Sequence, residues 1–325
     1  MAVKQVKRVD PGRALHRRRF LALGLGLFLI VDVALVAVAL NTGRAPSGAA
    51  AETPTPTAEE GTDPGAEVEP EPAVAVPAVL AVAPTRLLVA LDDSIAWRAT
   101  TGACPDTPAL PERTTDAGVT WEPTDATAPT DVRSIRRILV EGPDLASFVG
   151  QSPVDCAAMF VRTFVGGDNF EEFANGLAGT WYVNPLNGAQ VHSPEGDFAA
   201  PCATVVALAA RDASGAAALC ADGTIHLTAD AATTWSGPVE IPGALNIAAS
   251  SDGFTVAVAG DEACAGVRLI GLSEAADVVP LGCLPSEQTP QLLAGNVAVS
   301  VTDDTIWLWA GDVLVRSVDG GNTWL

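Results

Sequence analysis

The sequence predicts an all-β fold, a β-propeller of five to six four-stranded blades with seven as the upper limit, preceded by one transmembrane helix and a disordered linker. Three observations carry this. A nine-residue turn cassette returns through the C-terminal part of the chain, and short β-branched runs precede its copies. No long stretch after residue 40 shows an apolar period of 3.6, so helices are expected to be scarce there.

The cassette is read first because a missed repeat misassigns the whole fold. Residues 113–121 read RTTDAGVTW and residues 316–324 read RSVDGGNTW. Residues 227–235, LTADAATTW, keep all but the arginine and the glycine, and residues 162–170, RTFVGGDNF, keep the frame without the acid. The recurring positions are Thr114, Asp116, Gly118 and Trp121; Thr163, Gly167 and Phe170; Thr228, Asp230 and Trp235; and Ser317, Asp319, Gly321 and Trp324. Asp and Ser/Thr side chains bond nearby backbone and define a tight turn, Gly takes the positive φ, and Trp is expected to pack back onto the hairpin it closes. Each acid is therefore read as a turn residue and not as a catalyst or ligand.

The copies begin at 114, 163, 228 and 317, with intervals of 49, 65 and 89. Halving the last places an eroded copy near Ser273, and intervals of 44 and 45 suit four-strand blades. The strings NVAVSV, TIWLWAG and VLVRSV before the last copy, and ATVVALAA, GAAALCAD and TIHLTA before the third, read as three strands each. The 65-residue interval leaves surplus chain, including GTWYVNP and AQVHSP, for an extra hairpin or part of a sixth blade. Residues 78–83 (AVLAVA) are expected to supply the outer strand of the last blade and so cover an open edge.

The N-terminal part is divided by composition. Residues 1–19 carry seven bases and one acid and form a basic cytoplasmic tail. Residues 20–40 are a 21-residue apolar run broken only by Asp32, long enough to span a bilayer as a signal anchor. Ala37-Val38-Ala39 is the alternative, as a cleavage site. Residues 41–77 hold seven prolines and no aromatic residue, the composition of a disordered linker. Arg17, Arg18 and Arg19 against the span keep the N-terminus cytoplasmic and place residues 78–325, the propeller, outside the cell membrane. The scarcity of lysine and abundance of alanine fit a GC-rich bacterial genome.

From Arg86 onward there are ten arginines, no lysine and 30 acids. Such a surface repels phosphate backbones, so no nucleic-acid partner is expected and no basic patch either. The six cysteines all follow the span, an even count in an oxidising compartment. Strand layout pairs Cys202 with Cys220 and Cys264 with Cys283 within hairpins, leaving Cys104 and Cys156 to join neighbouring blades.

The pattern Ser/Thr-x-Asp-x-Gly-x-Thr-Trp resembles the Asp-box, or BNR repeat, of sialidase-like β-propellers. The resemblance implies an enzyme in which three arginines clamp a carboxylate and a Tyr paired with a Glu is the nucleophile. The only tyrosine, Tyr182, has no acid between residues 177 and 191. Arg113, Arg162 and Arg316 precede cassettes at equivalent places, so they are spread around a ring and cannot converge; they are expected to cover the aromatic residue or pair with acids. His192, near Glu195 and Asp197, reads as a solvated loop. No metal, cofactor or catalytic residue is expected. Non-enzymatic Asp-box propellers include photosystem assembly factors and sorting receptors, and the expected function is a binding or scaffold module for an extracytoplasmic protein, peptide or glycan. A divergent glycoside hydrolase is the alternative.

Overall fold

The computed structural model describes residues 80–303 and 305–325. The expected basic tail, membrane span and linker lie outside the described residues. Within them the chain forms six small antiparallel sheets arranged as a six-bladed propeller. Blade 1 is β1 (Arg86–Ala90), β2 (Ala96–Thr100), β3 (Glu112–Thr114) and β4 (Glu122–Pro123). Blade 2 is β5 (Arg133–Val140), β6 (Ala146–Gln151), β7 (Ala158–Thr163) and β8 (Glu171–Glu172). Blade 3 has three strands, β9 (Tyr182–Val183), β10 (Gln190–Ser193) and β11 (Gly196–Ala199). Blade 4 is β12 (Val205–Ala210), β13 (Ala216–Cys220), β14 (Thr224–Thr228) and β15 (Val239–Glu240). Blade 5 is β16 (Ala244–Ser250), β17 (Gly253–Ala259), β18 (Gly266–Ser273) and β19 (Val278–Pro285). Blade 6 is β20 (Val297–Val301), β21 (Ile306–Ala310) and β22 (Val313–Ser317).

The first strand of each blade lines the centre, and the second is the most deeply buried: β6, β13, β17 and β21 have no exposed position. The core is not one mass but a series of apolar wedges between blades. One joins Leu219, Ile225, Ile247 and Val256 of blades 4 and 5, and another Leu245, Leu269, Val299 and Leu308 of blades 5 and 6. A third sets Trp97 of blade 1 against Phe148 of blade 2, edge to face at 5.4 Å.

The surplus chain of the 65-residue interval is a whole blade, the third, which carries no turn cassette. The expected outer strand from residues 78–83 is not formed by the described part of that segment. Leu325 takes the position instead, exchanging main-chain hydrogen bonds of 2.8 and 3.1 Å with Arg316, because the turn at Asp319 reverses the chain beside β22. Disulfides join Cys202 to Cys220, Cys264 to Cys283, and Cys104 of blade 1 to Cys156 of blade 2.

The cassettes sit between the third and fourth strands, as hydrogen-bonded turns. In blade 6 the Ser317 hydroxyl donates to Asp319 (2.8 Å) and accepts from the Gly321 N–H (2.8 Å), while Asp319 accepts from the N–H and hydroxyl of Thr323 at 2.8 and 2.7 Å. Thr114 with Asp116, and Thr228 with Asp230, repeat this network. At Thr163 the bonds to the carboxylate are gone and the hydroxyl still accepts from the Gly167 N–H (2.9 Å) and the Val165 N–H (3.3 Å), and near Ser273 a shorter turn is closed by the Asp277 N–H.

The tryptophans of three cassettes reach the preceding blade: Trp324 donates to the Cys283 carbonyl of blade 5 at 2.8 Å, Trp235 to the Ala199 carbonyl of blade 3 at 3.3 Å, and Trp121 meets Trp307 of blade 6 edge to face. Phe170 meets Phe148 of its own blade edge to face, within the wedge that also holds Trp97 of blade 1. In blade 6 the turn lies close to its neighbour, since at Gly321 (φ +88°) a Cβ would lie 3.0 Å from the Gly282 Cα of blade 5, whereas blade 4 makes the same crossing with Ala232 at that place.

Candidate functional site

The inner strands enclose a central cavity of about 600 Å³. Most of its wall is aliphatic, contributed by alternating positions such as Val206, Leu208 and Val299. Three of the domain's ten arginines reach it: Arg86 from β1, and Arg136 and Arg137 from β5. Arg136 and Arg137 are adjacent in β5, and consecutive residues of the regular strand β1 border the cavity as well. The register of β5 on β6 shifts between Arg133 and Arg137, and Ser134 takes φ +41°.

The three cations differ in how well they are met. Arg136 donates from Nε to Gln151 Oε1 at 2.7 Å and from Nη2 to the Gly102 carbonyl at 3.1 Å. Arg86 stacks over Trp309 at 4.6 Å and has only the exposed Asp312 at 3.8 Å as counter-ion, with Nη1 buried and unpartnered. Arg137 has no hydrogen-bond or ion-pair partner among the described residues, and its Nε is buried. Burial pulls the Arg137 guanidinium down to about 10, which leaves it a cation at neutral pH at a desolvation cost, and burial lowers Arg86 and Arg136 as well. Glu141, the acid among the lining residues, is held by Arg162 at 2.8 Å and by Ser147. The expectation of no basic patch is thus corrected: a surface near −20 encloses a cationic centre.

Tyr182 lines the same cavity. It lies opposite His192, which lies opposite Asp197, so the three form a row from the channel across blade 3. The two rings stack at 4.7 Å, and His192 Nδ1 is 2.7 Å from Asp197. Burial, followed by the Asp197 charge, raises the phenol, which makes it a poor nucleophile. His192 is therefore no solvated loop residue, since it sits within β10 with its Nε2 buried.

Arg113, Arg162 and Arg316 lie at separate places on the outer hairpins. Arg113 donates to the Pro143 carbonyl and pairs with Asp144 of blade 2, Arg162 pairs with Glu141, and Arg316 donates to the Asp93 carbonyl of blade 1 while lying over Trp307. Sequence reasoning weighed these three and passed over Arg86 and Arg136. The available signal was the string RSIRRILV, two adjacent arginines inside a strand of an arginine-poor domain.

No family model matches the chain, and no curated protein matches it. Among solved structures, YCF48 bound to D1 peptide is similar at TM-score 0.39 and 18% identity, covering 77% of this chain and 81% of that one. A GH74 xyloglucanase from Xanthomonas campestris is similar at TM-score 0.31 and 17% identity, covering 74% of this chain and 37% of that one. YCF48 from Cyanidioschyzon merolae is similar at TM-score 0.26 and 14% identity, covering 77% of this chain and 85% of that one. The six-bladed architecture rests on the chain's own sheets.

Proposed function

We propose that this is a single-pass membrane-anchored bacterial protein whose extracytoplasmic propeller is a binding module, holding an acidic peptide segment of a partner protein in its central channel. The observation that carries the reading is Arg137, a half-buried arginine on the cavity wall whose buried Nε has no partner among the described residues. An uncompensated charge costs several kcal/mol, and a carboxylate accepting two parallel N–H bonds from the guanidinium offsets that cost. Arg86, half met, is placed to hold a second oxygen. A peptide fits better than a glycan, because Tyr182 is the aromatic ring on the wall and His192 covers a face of it. We also assign the cassettes as Asp-boxes of the sialidase-like superfamily, on their hydrogen-bond network.

A glycoside hydrolase is the weaker reading, since the phenol of Tyr182 has a histidine and no hydrogen-bonded carboxylate beside it. Fluorescence anisotropy with a labelled Asp/Glu-rich peptide and its Asn/Gln counterpart tests the choice. The acidic peptide alone should bind, more weakly as salt rises. Equal binding of both peptides, or glycoside turnover that Tyr182→Phe abolishes, would replace the binding module.

A further inference from the structure

The chain enters the propeller by crossing one mouth of its channel. Thr85 is tied to blade 6, its N–H and hydroxyl both donating to the Gly295 carbonyl at 2.7 and 2.9 Å. Before it, Ala83 and Pro84 line the cavity, and Val82 rests near Gly295, where a Cβ would come within 3.1 Å of its side chain. Ala81 is 3% exposed and joins the apolar cluster of Ala207, Ala244 and Ile247 in blades 4 and 5. The five residues from Arg86 back to Ala81 reach at most about 17 Å, enough to pass from blade 1 over the mouth to that cluster. This is the end at which the inner strands begin, where Arg86, Arg136 and Val206 lie. The opposite end, with Ala249, Ser250 and Val301, carries no such crossing among the described residues.

The segment is weakly held. Residues 80–84 make no main-chain hydrogen bond among the described residues, Leu80 and Val82 are exposed, and one buried methyl group fastens the far end. Backbone that crosses a cavity without joining a sheet has low local stability, the property expected of a part that moves. It is also uncharged, so it covers the arginines without neutralising them.

We propose that residues 80–84 are a displaceable strap over the arginine end of the channel, so that ligand entry there requires withdrawal of Ala81. Because the strap continues into the chain leading from the N-terminus, occupancy of the channel is coupled to the position of that chain. The inference rests on the channel being the binding site, and its test separates the two.

The full-length chain offers no free thiol among the described residues, so single cysteines report local access. Val206→Cys places one on the channel wall near the strap, and Ala249→Cys places one at the opposite mouth. Modification rates are measured with an anionic sulfonatoethyl and a cationic trimethylammonioethyl methanethiosulfonate. Ala81→Gln, which is too large and polar for its site, should raise the rate at the Val206→Cys thiol at least tenfold with both reagents and leave the Ala249→Cys thiol unchanged. Thr85→Val, which loosens the other end without touching Ala81, should give a smaller rise in the same sense. Unchanged rates at Val206→Cys in both variants, or equal rises at both thiols, would overturn the strap. The cationic channel is scored separately: the anionic reagent should react faster than the cationic one at Val206→Cys, and that preference should shrink with Arg137→Gln, Arg86 and Arg136 remaining, whatever the strap does.

Discussion

Two sets of three arginines occupy this molecule, and they differ in everything but residue type. Arg113, Arg162 and Arg316 stand at equivalent places before the turns, each with a carboxylate, a carbonyl or an aromatic ring in reach. Arg86, Arg136 and Arg137 stand at inequivalent places on two inner strands, and only Arg136 is well met by neutral groups. A repeat spreads equivalent residues around a ring, so regularity in the sequence produces structural contacts. Convergence on one cavity needs departures from the repeat, such as the two adjacent arginines of β5. In a propeller the site is sought where the blades differ.

The largest effect expected from this contrast is on binding. Arg137→Gln removes the unpaired charge and should weaken the acidic peptide at least thirtyfold, about 2 kcal/mol, within the range for truncating one partner of a buried charge pair. The same substitution should raise the melting temperature of the unliganded protein, since it ends a desolvation cost. A variant that loses peptide and stability together would place Arg137 with the structural set. Arg316→Ala should do the reverse, lowering stability by about 1 kcal/mol through loss of the Trp307 stacking and the Asp93 carbonyl bond, with peptide affinity unchanged. Denaturant melts read beside anisotropy titrations check both.

What could be read in advance follows the same division. Turn chemistry is local, so the cassettes marked the blades that carry them, and strand layout placed two disulfides and left the third as the remaining pair. Blade 3 was read as surplus chain, an extra hairpin or part of a sixth blade, because its strands have two, four and four residues and no cassette closes it. The tryptophans were assigned to the wrong neighbour, since an indole at the end of a turn reads the same whether it meets its own hairpin or the adjacent blade. The channel arginines left only the string RSIRRILV as a signal, since β5 is irregular in register just before them and the groups that meet Arg136 come from other parts of the fold. The fourth strand of blade 6 shows the limit of an edge-covering argument, because a single residue, Leu325, provides pairing that a whole segment was expected to give.

The cassette of blade 4 gives a smaller test of what regularity contributes. There Ala231 and Ala232 take φ of +57° and +71°, a region in which a Cβ crowds the following carbonyl oxygen. Blade 6 has Gly320 and Gly321 at those places. Ala232→Gly should therefore stabilise the protein by about 0.5–1 kcal/mol, the released strain exceeding the added freedom of the unfolded chain. A loss of stability in the denaturant melt would show that the buried Ala232 methyl group matters more than its backbone.

The smallest expected effect is on pH dependence, because the turn acids are exposed to solvent. Hydrogen bonds from the Thr323 N–H and hydroxyl, and then from Ser317, hold the Asp319 carboxyl down to about 2, and similar bonds led by Thr120 and Thr234 lower Asp116 and Asp230. A carboxyl lowered in the folded state favours folding above its unfolded value near 3.8, and that contribution disappears as pH falls toward the folded value. The melting temperature should thus drop more steeply between pH 4 and about 2 in the parent than in the variant carrying Asp116→Asn, Asp230→Asn and Asp319→Asn, which is less stable at neutral pH but has already lost these titrations. Parallel curves over that window would mean that the turn acids act through shape alone. Substitution at Asp168, which occupies no such network, should leave the parent's steep fall intact and so tie it to the turns.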